Sequence, residues 1–254
     1  MDWQKSLNTF LSDFEHMADV IGVLVCGSYV TGSPTAHSDL DVHIILSSDV
    51  SYRERGNKIV DGLLIEYFAN PPMQIEAYMD EDLEVRRLMA HVQFATGKIL
   101  RDDTGEVAAL KEKAFTAIDE FYKKSPPASM QEMTKYGLWD MRDDLQDAHE
   151  TNRADFDFLY FNLLDNLINE YMNAVNMPYH KKAILVNVED ERIRGKYLLR
   201  ELPDKHISDL IIKAIKAEGR DEKLNLYEQL TEAVLCRFGG FEIDGFRFRS
   251  EVSF

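Results

Sequence analysis

The first half of the chain alternates short apolar runs with segments of helical periodicity. Apolar residues recur at helical spacing over residues 2–20, which predicts an N-terminal helix. Two apolar runs, residues 21–26 and 40–46, predict short buried strands. Between them, residues 27–34 contain two glycines and a proline, which interrupt both periodicities. The pattern therefore predicts a helix, a strand, a loop and a second strand in succession.

A hairpin is predicted next along the chain. Ile59 and Val60 lead into the dipeptide Asp61-Gly62, which is typical of a tight two-residue turn between antiparallel strands. The outgoing strand continues through Glu66 and stops near residues 70–72, where two prolines follow an asparagine. The other elements predicted for this half are a helix over 80–96, a strand over 98–101 and a helix over 106–122.

The second half is almost entirely helical in pattern. Residues 125–129 include two adjacent prolines and are the expected linker, because neither proline can continue a helix. We therefore expect an α+β protein: a mixed sheet with flanking helices over residues 1–124, then an all-α helical bundle over 130–254. The predicted helices of the bundle cover 130–150, 156–175, 192–202, 207–217 and 222–238, and residues 241–254 favour a small hairpin.

Composition narrows the functional classes. The 254 residues are 45% hydrophobic and 29% charged, as in globular proteins. No apolar run approaches the roughly 18 residues that span a bilayer, and the N-terminus lacks the layout of a signal peptide, so a cytoplasmic protein is expected. Two cysteines are too few for a disulfide framework or a four-cysteine zinc site. The net charge of −16 disfavours nucleic acid and favours a cation or a metal-bound anion as partner.

The most informative chemistry lies at the start of the second predicted strand. Asp39 and Asp41 are two residues apart, so they project from the same face of the strand. Two neighbouring carboxylates repel each other unless a cation or a proton lies between them. Hard divalent cations, above all Mg²⁺, prefer such oxygen ligands. The pair therefore predicts a metal site.

Two further features of the sequence extend this site. Gly27 and Ser28 follow the first strand, where a glycine lets a phosphate approach the backbone and a hydroxyl can bind phosphate oxygens. Glu66 lies on the strand that leaves the hairpin and supplies a third carboxylate, as a metal ligand or as a general base. A phosphate loop beside a carboxylate cluster suits phosphoryl or nucleotidyl transfer.

The spacing of these residues resembles a known signature. Gly27-Ser28, then Gly32, then Ser38-Asp39-Leu40-Asp41 is similar to the motif of the nucleotidyltransferase superfamily with the DNA polymerase β-like catalytic fold. The helical second half resembles the C-terminal domain of the nucleotidyltransferases that modify aminoglycoside and lincosamide antibiotics. Residues 196–203 are similar to the streptomycin/spectinomycin adenylyltransferase group.

The resemblance implies a set of roles. The donor would be a nucleoside triphosphate, ATP in the first hypothesis, and AMP would pass to a hydroxyl of a small cationic molecule with release of pyrophosphate. Two Mg²⁺ ions would be held by Asp39, Asp41 and Glu66, Glu66 being the third ligand or the general base. The expected nucleotide contacts are Gly27, Ser28, Ser38, Lys182 and Lys196.

Other interpretations stay open at this point. AMP transfer to a protein, as in toxin–antitoxin relatives, and a degenerate nucleotide-binding regulator are the main alternatives. Arg142 and His149 have the spacing of the ribonuclease motif of HEPN helical proteins, but both residue types are common on helices. His43 shares the strand face of Asp39 and Asp41; it either borders the metal site or, as is expected here, is a packed or partly exposed strand residue. The acidic residues around Trp139 indicate either a binding surface for a cationic acceptor or a solvated helix face. Nothing in the sequence indicates an oligomeric state.

Overall fold

The computed structural model describes residues 2–124, 130–178 and 190–250, and these form two compact units. The first unit combines the described part of Met1–Lys123 with Gly195–Leu198, and the second takes the described part of Lys124–Arg194 and Leu199–Phe254. Within the described part of the chain, no helix has the length and apolar character to cross a bilayer. The expected linker at 125–129 lies outside the described residues.

A five-stranded mixed sheet forms the centre of the first unit. Its strands lie in the order β3-β4-β2-β1-β5, and only the β2–β4 pairing is parallel. This arrangement confirms the predicted α+β class. The elements are α1 (Trp3–Ser12), β1 (Val20–Cys26), α2 (Ser28–Thr31), β2 (Leu40–Leu46), β3 (Glu54–Val60), β4 (Leu63–Asn70), α3 (Pro72–Glu84), α4 (Met89–Thr96), β5 (Lys98–Asp102) and α5 (Glu106–Lys123).

Each face of the sheet packs against a different set of helices. On one face, Val23 and Val42 belong to a buried cluster that includes Phe10 of α1. On the other face, Leu24 and Cys26 belong to a cluster built with residues of α3, α4 and α5. The inner strands β1 and β2 are buried on both faces, which explains why they read as continuous apolar runs.

The β3–β4 hairpin has the predicted turn. Asp61 and Gly62 both have positive φ, 51° and 80°, which is the conformation of a type I′ turn. The turn fixes the antiparallel register, with Val60 opposite Leu63. The same register places Asn57 opposite Glu66 and Arg55 opposite Phe68.

The single helix predicted over 80–96 is wrong, because the structure divides this region into α3 and α4. Pro72 occupies the start of α3, a position where proline has no hydrogen bond to lose. Arg86 has a φ of 56°, which breaks the helix, and Asp82 accepts a hydrogen bond from the backbone N–H of Ala90 at 2.8 Å. A side chain of α3 therefore binds the first turn of α4.

Three further boundaries differ from expectation. The N-terminal helix ends at Ser12, and a short 3₁₀ turn precedes β1. The helix predicted over 192–202 stops at Tyr197, because Leu198 has a φ of 51°. Residues 241–250 form a turn at Asp244–Gly245 without the expected strands.

The second unit is helical. Three tyrosines of its core, Tyr160, Tyr171 and Tyr227, are fully buried. The hydroxyl of Tyr160 donates to the backbone carbonyl of Ala214 at 2.7 Å, and that of Tyr171 donates to Asp204 at 3.0 Å. Helices in the described part of this region are α6 (Glu132–Glu150), α7 (Phe156–Ala174), α8 (Glu191–Tyr197, whose last three residues belong to the first unit), α9 (Lys205–Lys216) and α10 (Arg220–Arg237).

Candidate metal and nucleotide site

Three carboxylates meet at one end of the sheet. Asp39, Asp41 and Glu66 each place a carboxylate oxygen within 4.8 Å of the other two, and all three residues are half-buried. Oxygens bound to one Mg²⁺ at about 2.1 Å lie roughly 3–4.2 Å apart, so small side-chain rotations bring this cluster to coordination distance. The three residues therefore fit a divalent metal ion.

The strand register explains the cluster. β2 and β4 run parallel with Asp41 directly opposite Glu66, and directly opposite residues project from the same face of a sheet. Asp39 precedes β2 and lies two residues before Asp41, which places it on that face as well. The expectation that Asp39 and Asp41 lie side by side, with Glu66 beside them, agrees with the geometry.

Gly27 packs directly against this cluster. Its φ is 77°, a conformation that favours glycine, and a Cβ at this position would lie 2.1 Å from Oδ2 of Asp41. The neighbouring Cys26 lies opposite Asp41 in the sheet. Burial raises the pKa of the Cys26 thiol well above its usual range, and the charges of Asp41 and Asp39 raise it further. Cys26 is therefore a neutral, buried side chain.

The loop between β1 and β2 is held by its own hydrogen bonds. Ser28 begins the single turn of α2, and its backbone carbonyl accepts from the N–H of Ser33 at 3.0 Å. The Ser38 hydroxyl accepts from the backbone N–H of Thr35 at 2.8 Å. Gly32 ends α2 with a φ of 80° and has no neighbour within 4 Å of the position of a Cβ. Of the predicted nucleotide contacts, Gly27 thus adjoins Asp41, whereas Ser38 forms part of the loop turn.

Of the two lysines predicted to contact the nucleotide, the structure describes Lys196. Lys182 lies outside the described residues. Lys196, near the end of α8, places its ammonium group 3.3 Å from the hydroxyl of Ser33, within the first unit. A residue more than 160 positions away in the sequence therefore reaches the loop that contains Gly27 and Ser28.

A cation that the sequence pattern did not predict lies beside the cluster. The guanidinium of Arg55 on β3 donates from Nη2 to Oε1 of Glu66 at 2.6 Å. The same guanidinium lies over the ring of Phe68, 4.9 Å from its centroid. The Asp61-Gly62 turn could have predicted this contact, because it fixes the register of the hairpin. In that register Arg55 lies opposite Phe68, two residues from Glu66 and on the same face of the sheet.

His43 is a packed residue of the sheet. Its imidazole lies between the rings of Phe68 and Phe94, with centroid distances of 5.3 and 4.7 Å. Burial lowers the pKa of His43 to about 4, against a smaller opposing effect of Gln93. The imidazole is therefore neutral at pH 7 and packs against these two aromatic rings.

Both residues with the ribonuclease-like spacing contact carboxylates of the second unit. Arg142 lies 3.8 Å from Glu232, and Nε2 of His149 lies 2.7 Å from Asp221, both carboxylates belonging to α10. Trp139 is half-buried. The aspartates of α6 are exposed at positions 140, 143, 144 and 147.

Comparison with known proteins gives a family assignment for the first unit. Residues 6–113 match the family described as "Nucleotidyltransferase domain". Among curated proteins, none matches the sequence. A solved structure, that of a nucleotidyltransferase-like protein from Exiguobacterium sibiricum 255-15, is similar with a TM-score of 0.45 and 12% identity, over 92% of this chain and 75% of the other.

The family match spans the strands and loops that carry the acidic cluster. It begins within α1 and ends within α5, so Gly27, Asp39, Asp41 and Glu66 all lie inside it. Residues 6–113 therefore form a nucleotidyltransferase domain, which supports nucleotidyl transfer as the activity of this part of the chain.

Proposed function

We propose that the chain transfers AMP from ATP to a hydroxyl of a small cationic molecule of the aminoglycoside type, with Mg²⁺ and with release of pyrophosphate. The observation that carries this proposal is the cluster of Asp39, Asp41 and Glu66 next to Gly27. The carboxylates supply the oxygen ligands that Mg²⁺ prefers, and the missing side chain of Gly27 lets the Asp41 carboxylate lie close to the backbone of the loop.

In this proposal the carboxylates bind the metal and the loop binds the donor. Asp39, Asp41 and Glu66 together would hold two Mg²⁺ ions. When bound, Mg²⁺ neutralises charge on the donor phosphates and on the departing pyrophosphate. Glu66 acts as the third ligand; its alternative role is to accept the proton of the acceptor hydroxyl.

The donor phosphates are assigned to the loop between β1 and β2. Gly27 and Ser28 offer backbone N–H groups and a hydroxyl, and Ser38 offers a second hydroxyl. Lys196 lies within hydrogen-bonding distance of Ser33 in this loop and adds a positive charge. A lysine binds a phosphate oxygen through a charge-assisted hydrogen bond. Lys182 keeps its proposed role from the sequence alone.

The negative charge of the protein favours a cationic acceptor. The chain carries a net charge of −16, and the exposed aspartates of α6 add local negative potential on the second unit. Such a field attracts polycations and weakens as salt is added. We therefore expect the KM for the acceptor to rise with ionic strength.

Replacement of single carboxylates tests the site. Asp39→Asn and Asp41→Asn are expected to lower pyrophosphate release at least 100-fold, because each removes a charged metal ligand worth several kcal/mol in the transition state. Asp103→Asn is the matched control, since Asp103 pairs with Arg101 and takes no part in the cluster. Unchanged turnover in Asp41→Asn would refute the site assignment.

A labelling experiment tests the acceptor. The full chain is incubated with ATP labelled at the α-phosphate, Mg²⁺ and a panel of aminoglycosides, and the products are separated by size. A labelled small product supports the proposal. Label on a protein band indicates AMP transfer to protein instead. Nucleotide binding without pyrophosphate release indicates a regulator.

A further inference from the structure

Arg55 forms an ion pair with one member of the acidic cluster. Its Nη2 atom lies 2.6 Å from Oε1 of Glu66. The side chain of Glu66 is 19% exposed and that of Arg55 is 69% exposed. A carboxylate oxygen of Glu66 also lies within 4.8 Å of Asp39 and Asp41. Glu66 therefore adjoins both a fixed cation and the candidate metal site.

The guanidinium is held in place by an aromatic column. Arg55 and Phe68 are directly opposite each other on β3 and β4, and the guanidinium lies over the Phe68 ring at 4.9 Å. Phe68 in turn is directly opposite His43 on β2, and the two rings stack with an interplanar angle of 24°. His43 is buried. An arginine stacked on a ring loses less freedom when it forms a hydrogen bond than a freely moving side chain does.

The cluster needs such an orienting group. Three carboxylates within 4.8 Å repel one another, and a free Glu66 side chain would rotate away from the two aspartates. Carboxylates that ligate metals are commonly held by a second hydrogen bond, and loss of that partner typically costs 10- to 100-fold in metal affinity or activity. The geometry of Arg55 matches this role.

We propose that Arg55 is a positioning residue that holds the Glu66 carboxylate in the orientation that binds the metal. The inference rests on the proposed function, because it needs Glu66 to be a metal ligand. The opposite arrangement is competition, in which the guanidinium withholds Glu66 from the metal. Positioning and competition predict opposite changes in metal affinity when Arg55 is removed.

Arg53 provides a matched control. It lies two residues before Arg55, is exposed, and contacts Tyr78 rather than the acidic cluster. Arg53→Ala and Arg55→Ala therefore change the net charge equally and remove similar side chains. Only Arg55→Ala removes the contact to Glu66. Because both variants lose one positive charge, a difference between their Mn²⁺ affinities reports the loss of the contact to Glu66 and not the change in net charge.

The experiment measures Mn²⁺ binding to the full chain by electron paramagnetic resonance, with and without a non-hydrolysable ATP analogue. Arg55→Ala is expected to weaken Mn²⁺ binding 10- to 100-fold, and Arg53→Ala less than 2-fold. Arg55→Lys is expected to fall between Arg55→Ala and the unchanged chain, because it keeps the charge but loses the planar stacking. Thermal unfolding of each variant verifies that the fold is intact.

The outcomes separate this inference from the proposed function. If Asp41→Asn weakens Mn²⁺ binding but Arg55→Ala equals Arg53→Ala, the metal site stands and the role of Arg55 is refuted. Tighter binding in Arg55→Ala would demonstrate competition and also overturn the inference. Unchanged binding in Asp41→Asn would overturn both. In kinetics, positioning predicts a higher metal concentration for half-maximal rate, with most of kcat recovered at saturating metal.

Discussion

Asp41 and Glu66 are directly opposite each other on the parallel strands β2 and β4. Because side chains alternate between the two faces of a sheet, a slip of one residue would replace Glu66 at this point with Ile65 or Tyr67 and turn the carboxylate to the other face. The register is fixed by apolar residues of both strands, such as Val42 and Ile65, which are buried on the α1 side. The core of the domain thus determines whether the cluster forms.

Substitution of Gly27 tests the close approach to Asp41. In Gly27→Ala the new Cβ would lie 2.1 Å from Oδ2 of Asp41, so the carboxylate must move by more than 1 Å. Displacements of this size at a reacting centre cost on the order of 100-fold in rate. We expect a loss of that order in kcat/KM for the nucleotide, measured by pyrophosphate release.

Gly32→Ala is the control for an alanine at a positive φ in the same loop without the contact to Asp41. Gly32 also has a positive φ, 80°, but a Cβ there has no neighbour within 4 Å. Gly32 lies in the left-handed region, where an alanine costs about 1–2 kcal/mol. Gly27 has a ψ of −156°, a conformation that is essentially restricted to glycine, so Gly27→Ala should lower the free energy of unfolding more than Gly32→Ala does. Equal activity in the two variants would contradict the proposed contact between position 27 and the site.

Lys196 is expected to contribute to donor binding. A charge-assisted hydrogen bond to phosphate is worth roughly 1.5–3 kcal/mol, so Lys196→Ala should raise the KM for ATP about 10- to 100-fold. Lys205→Ala serves for comparison, because Lys205 is exposed and pairs with Asp209 on its own helix. If the two variants have the same KM, the ammonium of Lys196 has no role in nucleotide binding.

Lys111 stabilises the end of α4. Its ammonium group donates to the carbonyl oxygens of Ala95 and Gly97 at 2.6 and 2.7 Å. Lys111→Met leaves these carbonyls without that donor and should lower the free energy of unfolding by about 1–3 kcal/mol, measured in urea. Lys113→Met, which removes only an exposed ion pair with Glu76, should cost less than about 1 kcal/mol.

His91 should make stability depend on pH. Burial lowers the pKa of His91 below its usual 6.5; the charges of Asp82 and Asp80 oppose this shift and Lys113 adds to it. As the pH falls below about 6.5, the unfolded chain binds a proton at His91 that the folded chain does not, so folding becomes less favourable. His91→Leu should therefore lose less stability than the unchanged chain between pH 7.5 and pH 5.

Urea unfolding across this pH range measures the effect. His37→Gln, at an exposed position of a loop, is the comparison and should follow the unchanged chain. Parallel pH curves for His91→Leu and the unchanged chain would show that His91 is protonated equally in both states.

Local chemistry made much of the first unit predictable from the sequence. The Asp61-Gly62 turn requires positive φ at both positions, which few dipeptides tolerate, so the hairpin followed from two residues. The i, i+2 spacing of Asp39 and Asp41 placed them on one face because strands have a period of two. Local chemistry does not determine the β2–β4 pairing, because β3 lies between these two strands in the sequence.

The missed elements depend on contacts between distant residues. The break between α3 and α4 is stabilised by Asp82, which binds a backbone N–H eight residues later, and periodicity alone does not reveal such a bond. Pro71 and Pro72 were interpreted as the end of a strand, although Pro72 also begins α3. The approach of Lys196 to Ser33 joins residues 163 positions apart in the sequence, and no local pattern predicts it.

Gly195–Leu198 belong to the first unit although they follow α6 and α7 of the second unit in the sequence, so the ribosome synthesises the first unit in two stages. Tyr197 and Leu198 pack against the buried cluster beneath the sheet, so a ribosome that has just finished α5 has not yet made them. At synthesis rates of about 5–20 residues per second, the roughly 75 intervening residues impose a wait on the order of 4–15 s. During that interval the nascent domain leaves exposed the apolar surface that these two side chains later cover.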